Sequence, residues 1–138
     1  MADRVRKVDY FYVMVANRPG QGARVLDALA AEGVNLLAFS GFPSAGMGQL
    51  DLVPEKSARL VRAAKKLGLR LSKKKTGFLL QGKDRVGAMT KLLGKLAKGG
   101  ISITAMDAVV AGKGRYGAIL WVKPKDVART ANLLSARR

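Results

Sequence analysis

Residues 20–33 of this 138-residue chain read GQGARVLDALAAEG, and residues 87–100 read GAMTKLLGKLAKGG. Each stretch begins and ends with glycine at the same spacing, and an offset of 67 positions relates further pairs: Arg18 with Arg85, Leu29 with Leu96, and Val34 with Ile101. Farther along, the offset becomes 70, as for Leu50 with Leu120, Pro54 with Pro124, and Arg59 with Arg129. A repeat of this length indicates a duplicated domain, with three residues inserted in a hairpin loop of the second copy.

The charge of the chain is strongly positive. It has 26 Lys and Arg against 9 Asp and Glu, a net charge of +17, and neither Cys nor His. Without these two residue types, disulfides, thiol nucleophiles, imidazole acid–base chemistry and ordinary zinc sites are excluded. The positive charge predicts attraction to polyanions, either nucleic acid or an acidic protein partner. We expect a cytoplasmic protein with no membrane partner, because no apolar run approaches a membrane-spanning length.

The first copy shows the hydrophobic pattern of a β-α-β-β-α-β unit. A helix follows Gly20 and ends at Gly33, and a second helix begins at Pro54, carries Leu60, Val61, Ala64 and Leu67 on one face, and ends at Gly68. We predict four strands and a hairpin loop, at residues 8–16, 34–42, 50–53 and 69–71 for the strands and 42–48 for the loop. The lysines at 73–75 mark the boundary with the second copy.

The second copy repeats this order but stops early. We predict strands at residues 76–81, 101–110 and 116–122, helices at 86–98 and 124–134, and a loop at 111–115. The predicted apolar face of the first of these helices consists of Val86, Met89, Leu92, Leu93 and Leu96. The predicted fold is therefore α+β, with two ferredoxin-like units at residues 1–72 and 73–138. Each antiparallel sheet is covered on one face by helices. The second unit lacks its last strand, and we expect the other half or another subunit to cover that edge.

The turn after the first strand is the best candidate site. Asn17, Arg18, Pro19 and Gly20 precede a helix whose free N–H groups and dipole attract an anion such as a carboxylate. Gly20 allows a ligand to approach the backbone closely, and Asn17 offers both a donor and an acceptor, which suits a zwitterion. A purely structural interpretation remains open, in which Asn17 and Pro19 form a turn and Asn35 caps a helix end.

The segments 17–20 and 33–36, joined by an amphipathic helix, resemble the ACT domain, a small-molecule regulatory module. They are most similar to the serine-sensing ACT domain of phosphoglycerate dehydrogenases. The resemblance implies that Asn17 and Asn35 contact a bound amino acid at an interface between two ACT domains, and that the sheets of two domains join side by side. It predicts an allosteric, homo-oligomeric (dimeric) regulator without a cofactor or catalytic activity. Its expected ligand-binding residues are Asn17, Arg18, Pro19, Gly20, Gln21, Gly22, Val34, Asn35 and Leu36.

Two departures from the family pattern bear on the ligand. The family usually has aliphatic residues after the glycine, whereas this chain has Gln21 and Gly22, so the ligand need not be serine. In the second unit Gly87 is retained, but Asp84, Val86 and Ser102 replace the asparagine, the proline and the second asparagine. Because Asp84 repels a carboxylate but accepts an ammonium group, the second site is expected to be altered or lost.

A different function is predicted from the basic second half. Lys91, Lys95 and Lys98 lie on one face of a helix, which is either a nucleic-acid contact or an ordinary solvated face. Residues 113–121 loosely resemble the third-strand signature of RNA-recognition motifs, but Ala118 stands where a stacking aromatic is needed, which favours a glycine-rich hairpin followed by a core strand. No phosphate loop, paired acids or activated nucleophile can be identified, so we do not expect an enzyme.

Overall fold

A computed structural model of the chain describes residues 3–137, which divide by their internal contacts into two units. The first unit is Asp9–Lys75, and the second unit consists of residues 3–8 together with residues 76–137. Strand β1 (Arg4–Ala16) begins in the second unit and ends in the first. The units found from contacts therefore differ from the ranges 1–72 and 73–138 mainly at the N-terminal residues.

The first unit is a three-stranded antiparallel sheet with two helices. After β1 come α1 (Gln21–Ala31), β2 (Leu36–Ser44), β3 (Met47–Pro54) and α2 (Ser57–Leu67). The strand order is β2-β3-β1. Leu52 of the central strand β3 pairs with Phe11 of β1 on one side and with Phe39 of β2 on the other. Residues from the strands, from both helices and from the segment before β2 pack together to form the core: Phe11, Val13, Val25, Leu29, Val34, Leu50, Leu52, Leu60 and Ala63.

The second unit repeats this arrangement. Its elements are β4 (Lys75–Lys83), α3 (Thr90–Lys98), β5 (Ile103–Val110), β6 (Arg115–Val122), a 3₁₀ turn (Pro124–Asp126) and α4 (Val127–Leu133). The strand order is β4-β6-β5, with Phe78 opposite Leu120. The core centres on Phe78, Leu80, Leu92, Leu96 and Leu120. The predicted α+β class with ferredoxin-like units is thus confirmed. Within residues 3–137, no helix combines the length and apolar character needed to cross a membrane.

Residues 3–8 complete the second unit, in which no strand follows α4 among the described residues. Val5 is buried in the second core, its carbonyl accepts the Arg137 N–H at 2.8 Å, and the Lys7 N–H donates to the Arg137 carbonyl at 2.6 Å. Arg85 pairs with Asp3 at 3.3 Å. Residues 3–8, which fall within the predicted first half (1–72), therefore supply this contact, in agreement with the expectation that the other half would cover the edge.

The predicted strand at 69–71 is wrong. Ser72 donates its N–H to the Tyr12 carbonyl at 2.9 Å, but the Tyr12 N–H donates to the Ser72 hydroxyl rather than to a carbonyl. Because the Ser72 side chain takes the place of a ladder acceptor, pairing stops at this residue. Leu69 and Leu71, which precede Ser72, are nevertheless partly buried against the first core.

Two of the four predicted helix starts are also wrong. Pro54 is the last residue of β3, and α2 begins at Ser57. Of the predicted apolar face of this helix, Leu60 and Ala64 are buried, whereas Val61 and Leu67 are exposed. In the second unit α3 begins only at Thr90, so Val86 lies in a turn and is fully exposed. Apolar residues at helical spacing therefore predicted longer helices than the structure has.

The hairpin between β2 and β3 is much tighter than the predicted loop at 42–48. Only Ala45 and Gly46 lie between the strands, with φ of 51° and 77°. Positive φ at both positions is the backbone of a type I′ turn, whose twist matches that of the two strands.

The three inserted residues are not all in the second hairpin. Phe11 opposite Leu52 and Phe78 opposite Leu120 are equivalent pairs, so the offset in the third strand of each unit is 68. Leu50 is therefore not the counterpart of Leu120, and one residue is inserted in the hairpin. The other two lie before α4, where the 3₁₀ turn has been added.

The offset of 70 does hold on the second helix of each unit. Arg59 donates to the carbonyl of Gly33 at 3.3 Å, and Arg129 donates to the carbonyl of Gly99. Each carbonyl follows the C-terminal end of the unit's first helix, where orphan carbonyls and the negative end of the dipole favour a cation. The duplicated arginine therefore retains one structural role in both units.

Candidate functional site

A cleft of about 210 Å³ lies at the turn end of the first unit, where β1 ends, α1 begins and the β2–β3 hairpin folds over. Four residues of the predicted set line it: Asn17, Arg18, Gln21 and Gly22. Pro19 and Gly20 form the exposed turn beside it. The other lining residues come from the strand ends: Val15, Ala16, Gly41, Phe42, Pro43, Gly48, Gln49 and Leu50.

The backbone at this turn is arranged to receive an anion. Gly20 has φ of +88°, which sends the chain directly into α1, and no described side chain caps the helix. Within residues 3–137, the N–H groups of Gly22 and Ala23 donate to no backbone carbonyl. Free N–H groups at the positive end of the helix dipole favour a carboxylate at this position.

Acceptors for a cationic group lie in the same cleft. The Gln49 side chain donates its Nε2 to the Asp51 carboxylate at 2.9 Å, so its carbonyl oxygen remains an acceptor. Asp51 is only 7 % exposed, and burial raises the pKa of its carboxyl against the opposing effects of the Gln49 hydrogen bond and of Lys75. With the Asn17 amide, this cleft offers partners for both ends of a zwitterion.

The structure does not bring Asn35 to this cleft within one copy of the unit. The Asn35 carbonyl accepts the Glu55 N–H at 2.9 Å, at the far end of the sheet. Since β2 extends from Leu36 to Ser44 and ends near Ala16, the two asparagines lie roughly 25 Å apart. Of the flanking predicted residues, Val34 is buried in the core and Leu36 pairs with Pro54.

The second unit has a cleft of about 360 Å³ at the equivalent turn. Asp84 and Gly87 line it, as predicted for this unit, but Ser102 lies before β5 at the opposite end and takes no part. The remaining lining residues are mostly apolar: Ala88, Met89, Thr90, Leu93, Ala108, Val109, Val110 and Tyr116. Burial, with a contribution from Asp3, raises the pKa of Tyr116 to about 12, so the tyrosine stays neutral at physiological pH.

The sequence interpretation missed the hairpin side of both clefts. Residues 41–43 line the first cleft and residues 108–110 line the second, and these segments are related by the offset of 67. The offset of 67 could have indicated these segments, because it relates both the turn and the end of the next parallel strand in the two units. A ferredoxin-like unit places these two segments at the same end of its sheet.

The residues proposed to contact nucleic acid have two different environments. Lys91, Lys95 and Lys98 are all exposed on α3. In contrast, Tyr116, Ala118 and Leu120 of the segment resembling an RNA-recognition motif are buried under the helices of the second unit. That strand therefore presents no stacking platform on these positions, and the core-strand alternative fits the structure.

Comparisons with known proteins identify the fold. No protein-family model matches the sequence, and no curated protein matches it. A crystal structure of a protein from Bacteroides thetaiotaomicron is 20 % identical with a TM-score of 0.80, covering 95 % of this chain and 88 % of that one. The ligand-free regulatory subunit of aspartate kinase from Thermus thermophilus is 11 % identical with a TM-score of 0.66, covering 98 % and 96 %.

A further solved structure supports the same assignment. The regulatory subunit of aspartate kinase from Thermus flavus is 15 % identical with a TM-score of 0.59, covering 97 % of this chain and 94 % of that one. At these identities the likeness concerns the fold, and it extends over nearly the full length of each protein. This chain thus has the same fold as these aspartate kinase regulatory subunits, with two ferredoxin-like units in tandem.

Proposed function

We propose that this chain is a cytoplasmic, non-catalytic regulatory protein that binds an amino acid in the cleft of the first unit. The observation that carries the proposal is the pair of free N–H groups of Gly22 and Ala23 at the start of α1, beside a cleft that Gly22 lines together with Asn17 and Gln49. The N–H groups suit the ligand's carboxylate and the amide oxygens suit its ammonium group. The resemblance to serine-sensing ACT domains supports the same ligand class.

We further propose that a second copy of the chain closes this cleft. The cleft is shallow, and its β2 wall is the outer strand of the first-unit sheet, with Phe39 and Phe42 exposed. Residues 25–55 contain four acidic residues and no Lys or Arg, although the whole chain carries +17. Two copies of this positively charged protein repel each other over the rest of their surfaces. Residues 25–55 therefore form the surface at which two copies approach most easily. A dimer formed there brings additional residues to the ligand, as the family resemblance implies.

Ligand binding between copies would regulate by population shift. An amino acid that contacts both copies stabilises the arrangement in which both sets of contacts form, by its differential affinity for the two arrangements. The neighbours of known role are regulatory subunits of a kinase, which supports a role in controlling another protein.

The proposal is tested by thermal unfolding in the presence of each common amino acid at millimolar concentration. We expect at least one to raise Tm, and Asn17→Ala to abolish that shift. Asn132→Ala is the matched control, because Asn132 is an exposed asparagine on α4 far along the chain from the turn. If no amino acid changes Tm, or if Asn17→Ala responds like wild type, the proposed site is wrong.

A second candidate function is binding to nucleic acid through α3. Lys91, Lys95 and Lys98 are exposed, and none of them forms an ion pair with another described residue, so their charge is available to a polyanion. The binding constant would fall steeply as the salt concentration rises. Replacing all three lysines with glutamine would remove about three phosphate contacts and make the plot of log binding constant against log salt concentration correspondingly less steep. Absence of any complex with DNA or RNA at low salt would exclude this function.

A further inference from the structure

The two clefts occupy equivalent places but have opposite polarity. The offset of 67 places Asp84 at the position of Asn17, Val109 at that of Phe42 and Val110 at that of Pro43. We propose that the second-unit cleft binds a different ligand class from the first: a primary ammonium group carried on an aliphatic chain. This extends the proposed function, because it assumes that the turn-end cleft is the ligand site in both units.

Among the described residues, Asp84 is the only ionised one that lines the second cleft. The neighbouring cation, Arg85, is committed elsewhere: its guanidinium contacts the Asp3 carboxylate and donates to the Lys83 carbonyl at 2.8 Å and to the Ala88 carbonyl at 3.2 Å. Asp84 itself forms no ion pair with any residue in the described part of the chain. The electrostatic demand of this cleft is therefore for a cation, although the protein as a whole is strongly positive.

One of the two backbone N–H groups that favour a carboxylate in the first cleft is engaged in the second, whereas the N–H of Met89, the counterpart of Gly22, donates to no backbone carbonyl of the described residues. The Ala23 N–H is free, whereas its counterpart, the Thr90 N–H, donates to the Gly87 carbonyl at 3.0 Å. The α-helix also begins later in the second unit, at Thr90 rather than immediately after the glycine. A carboxylate would consequently face the like charge of Asp84 without the Thr90 N–H to compensate the repulsion.

The walls of the cleft suit an aliphatic chain. Met89 and Leu93 form one side, and the end of β5 forms the other. In this end of β5, Val109 is 67 % exposed and Val110 is 56 % exposed, which leaves apolar surface for a ligand to cover. Covering such surface is favourable by about three- to fourfold in affinity per methylene group, so binding should strengthen with the length of the ligand chain.

The experiment is an NMR titration of the full-length chain with n-pentylammonium, followed through the backbone amides of residues 87–90 and 108–110. We expect saturable shifts in both segments, no such shifts with pentanoate, and affinity that rises from propyl- to pentylammonium. Asp84→Asn, which restores the amide found in the first unit at an exposed position, should weaken pentylammonium binding about two- to fivefold, as expected for an ion pair at an exposed carboxylate. Asn17→Ala should leave it unchanged.

Two results would overturn the inference. One is equal response to pentylammonium and pentanoate, and the other is unchanged pentylammonium affinity in Asp84→Asn. The proposed function fails separately, because it concerns amino-acid binding that is sensitive to Asn17→Ala. If amino acids do not bind the first cleft while pentylammonium binds the second with the expected dependence on Asp84, only the proposed function is lost.

Discussion

Replacing Gly82 with alanine tests the place of the N-terminal residues in the second unit. A methyl group on Gly82 would lie 2.7 Å from Cε1 of Tyr116 and would overlap the carboxylate of Asp3. The buried Tyr116 ring cannot easily move, so the substitution must displace Asp3 and weaken its pair with Arg85.

The cost follows from three contributions. Overpacking of this kind destabilises by about 1–3 kcal/mol. Loss of a partly exposed ion pair adds roughly 0.5 kcal/mol after screening by solvent. A glycine-to-alanine change also lowers the conformational entropy of the unfolded chain, which stabilises the folded protein by about 0.5–1 kcal/mol. We therefore expect Gly82→Ala to lower the free energy of unfolding by about 0.5–3 kcal/mol.

Urea unfolding followed by circular dichroism measures this change as a lower midpoint at constant m-value. Gly117→Ala is the matched control, because Gly117 lies on β6, beside the Tyr116 that pairs with Gly82, and a methyl group added to it would meet no described atom within 4 Å. It should be neutral or slightly stabilising. In an Asp3→Ala background the cost of Gly82→Ala should shrink. Equal stability of the two glycine variants would refute the placement of residues 3–8.

Three further sets of substitutions probe other parts of the structure. Arg59→Ala and Arg129→Ala should each lower the free energy of unfolding by about 0.5–1 kcal/mol in chemical denaturation, because each removes the donor and the charge at a helix C-terminus; a much larger loss in only one would contradict their equivalence. Since burial raises the folded-state pKa of Asp51, ionisation costs stability as pH rises through the range above the usual aspartate value. Asp51→Asn should therefore be more stable than wild type at pH 7, and this advantage should vanish under strongly acidic conditions; an advantage that persists there would contradict the burial effect. In the type I′ turn, Ala45→Asn should raise Tm, whereas Gly46→Ala should cost about 1 kcal/mol; the reverse order would exclude this turn.

Much of the fold could be predicted from the repeat. The offset of 67 fixed the order strand, turn, helix and strand in both units, because helical spacing and flanking glycines are local signals. The same local signals failed where tertiary contacts decide. Pro54 is compatible with a helix start, but it ends β3 opposite Leu36, and Leu69–Leu71 have strand-like residues, but Ser72 interrupts the pairing.

The membership of residues 3–8 in the second unit could not be predicted in this way. Their contacts connect Val5 with Arg137 and Asp3 with Arg85, across most of the chain. No periodicity or spacing reports such distant pairs in a single sequence. The charge pattern was equally uninformative about the fold, since Arg85 is used structurally whereas its counterpart Arg18 lines a cleft.

For the candidate site, the sequence indicated a turn whose residues line a cleft, but it did not indicate the other walls of that cleft. Asn17 and Gly22 do lie in a cleft. The separation of Asn17 from Asn35 follows from topology alone, because parallel strands joined by a helix have the end of one and the start of the next at opposite ends. The hairpin residues that complete the first cleft were not predicted, because residues 42–48 were interpreted as a loop, whereas β2 continues to Ser44 and only a two-residue turn follows it.

The most direct test of the account is the response of the Gly22 and Ala23 amide protons to amino acids in solution. A ligand carboxylate at the start of α1 must accept hydrogen bonds from these two groups. We predict that the amino acid that raises Tm also moves both amide proton resonances downfield, with one saturation curve, and that Asn17→Ala abolishes the effect. An amino acid that binds while both resonances remain in place would contradict the account.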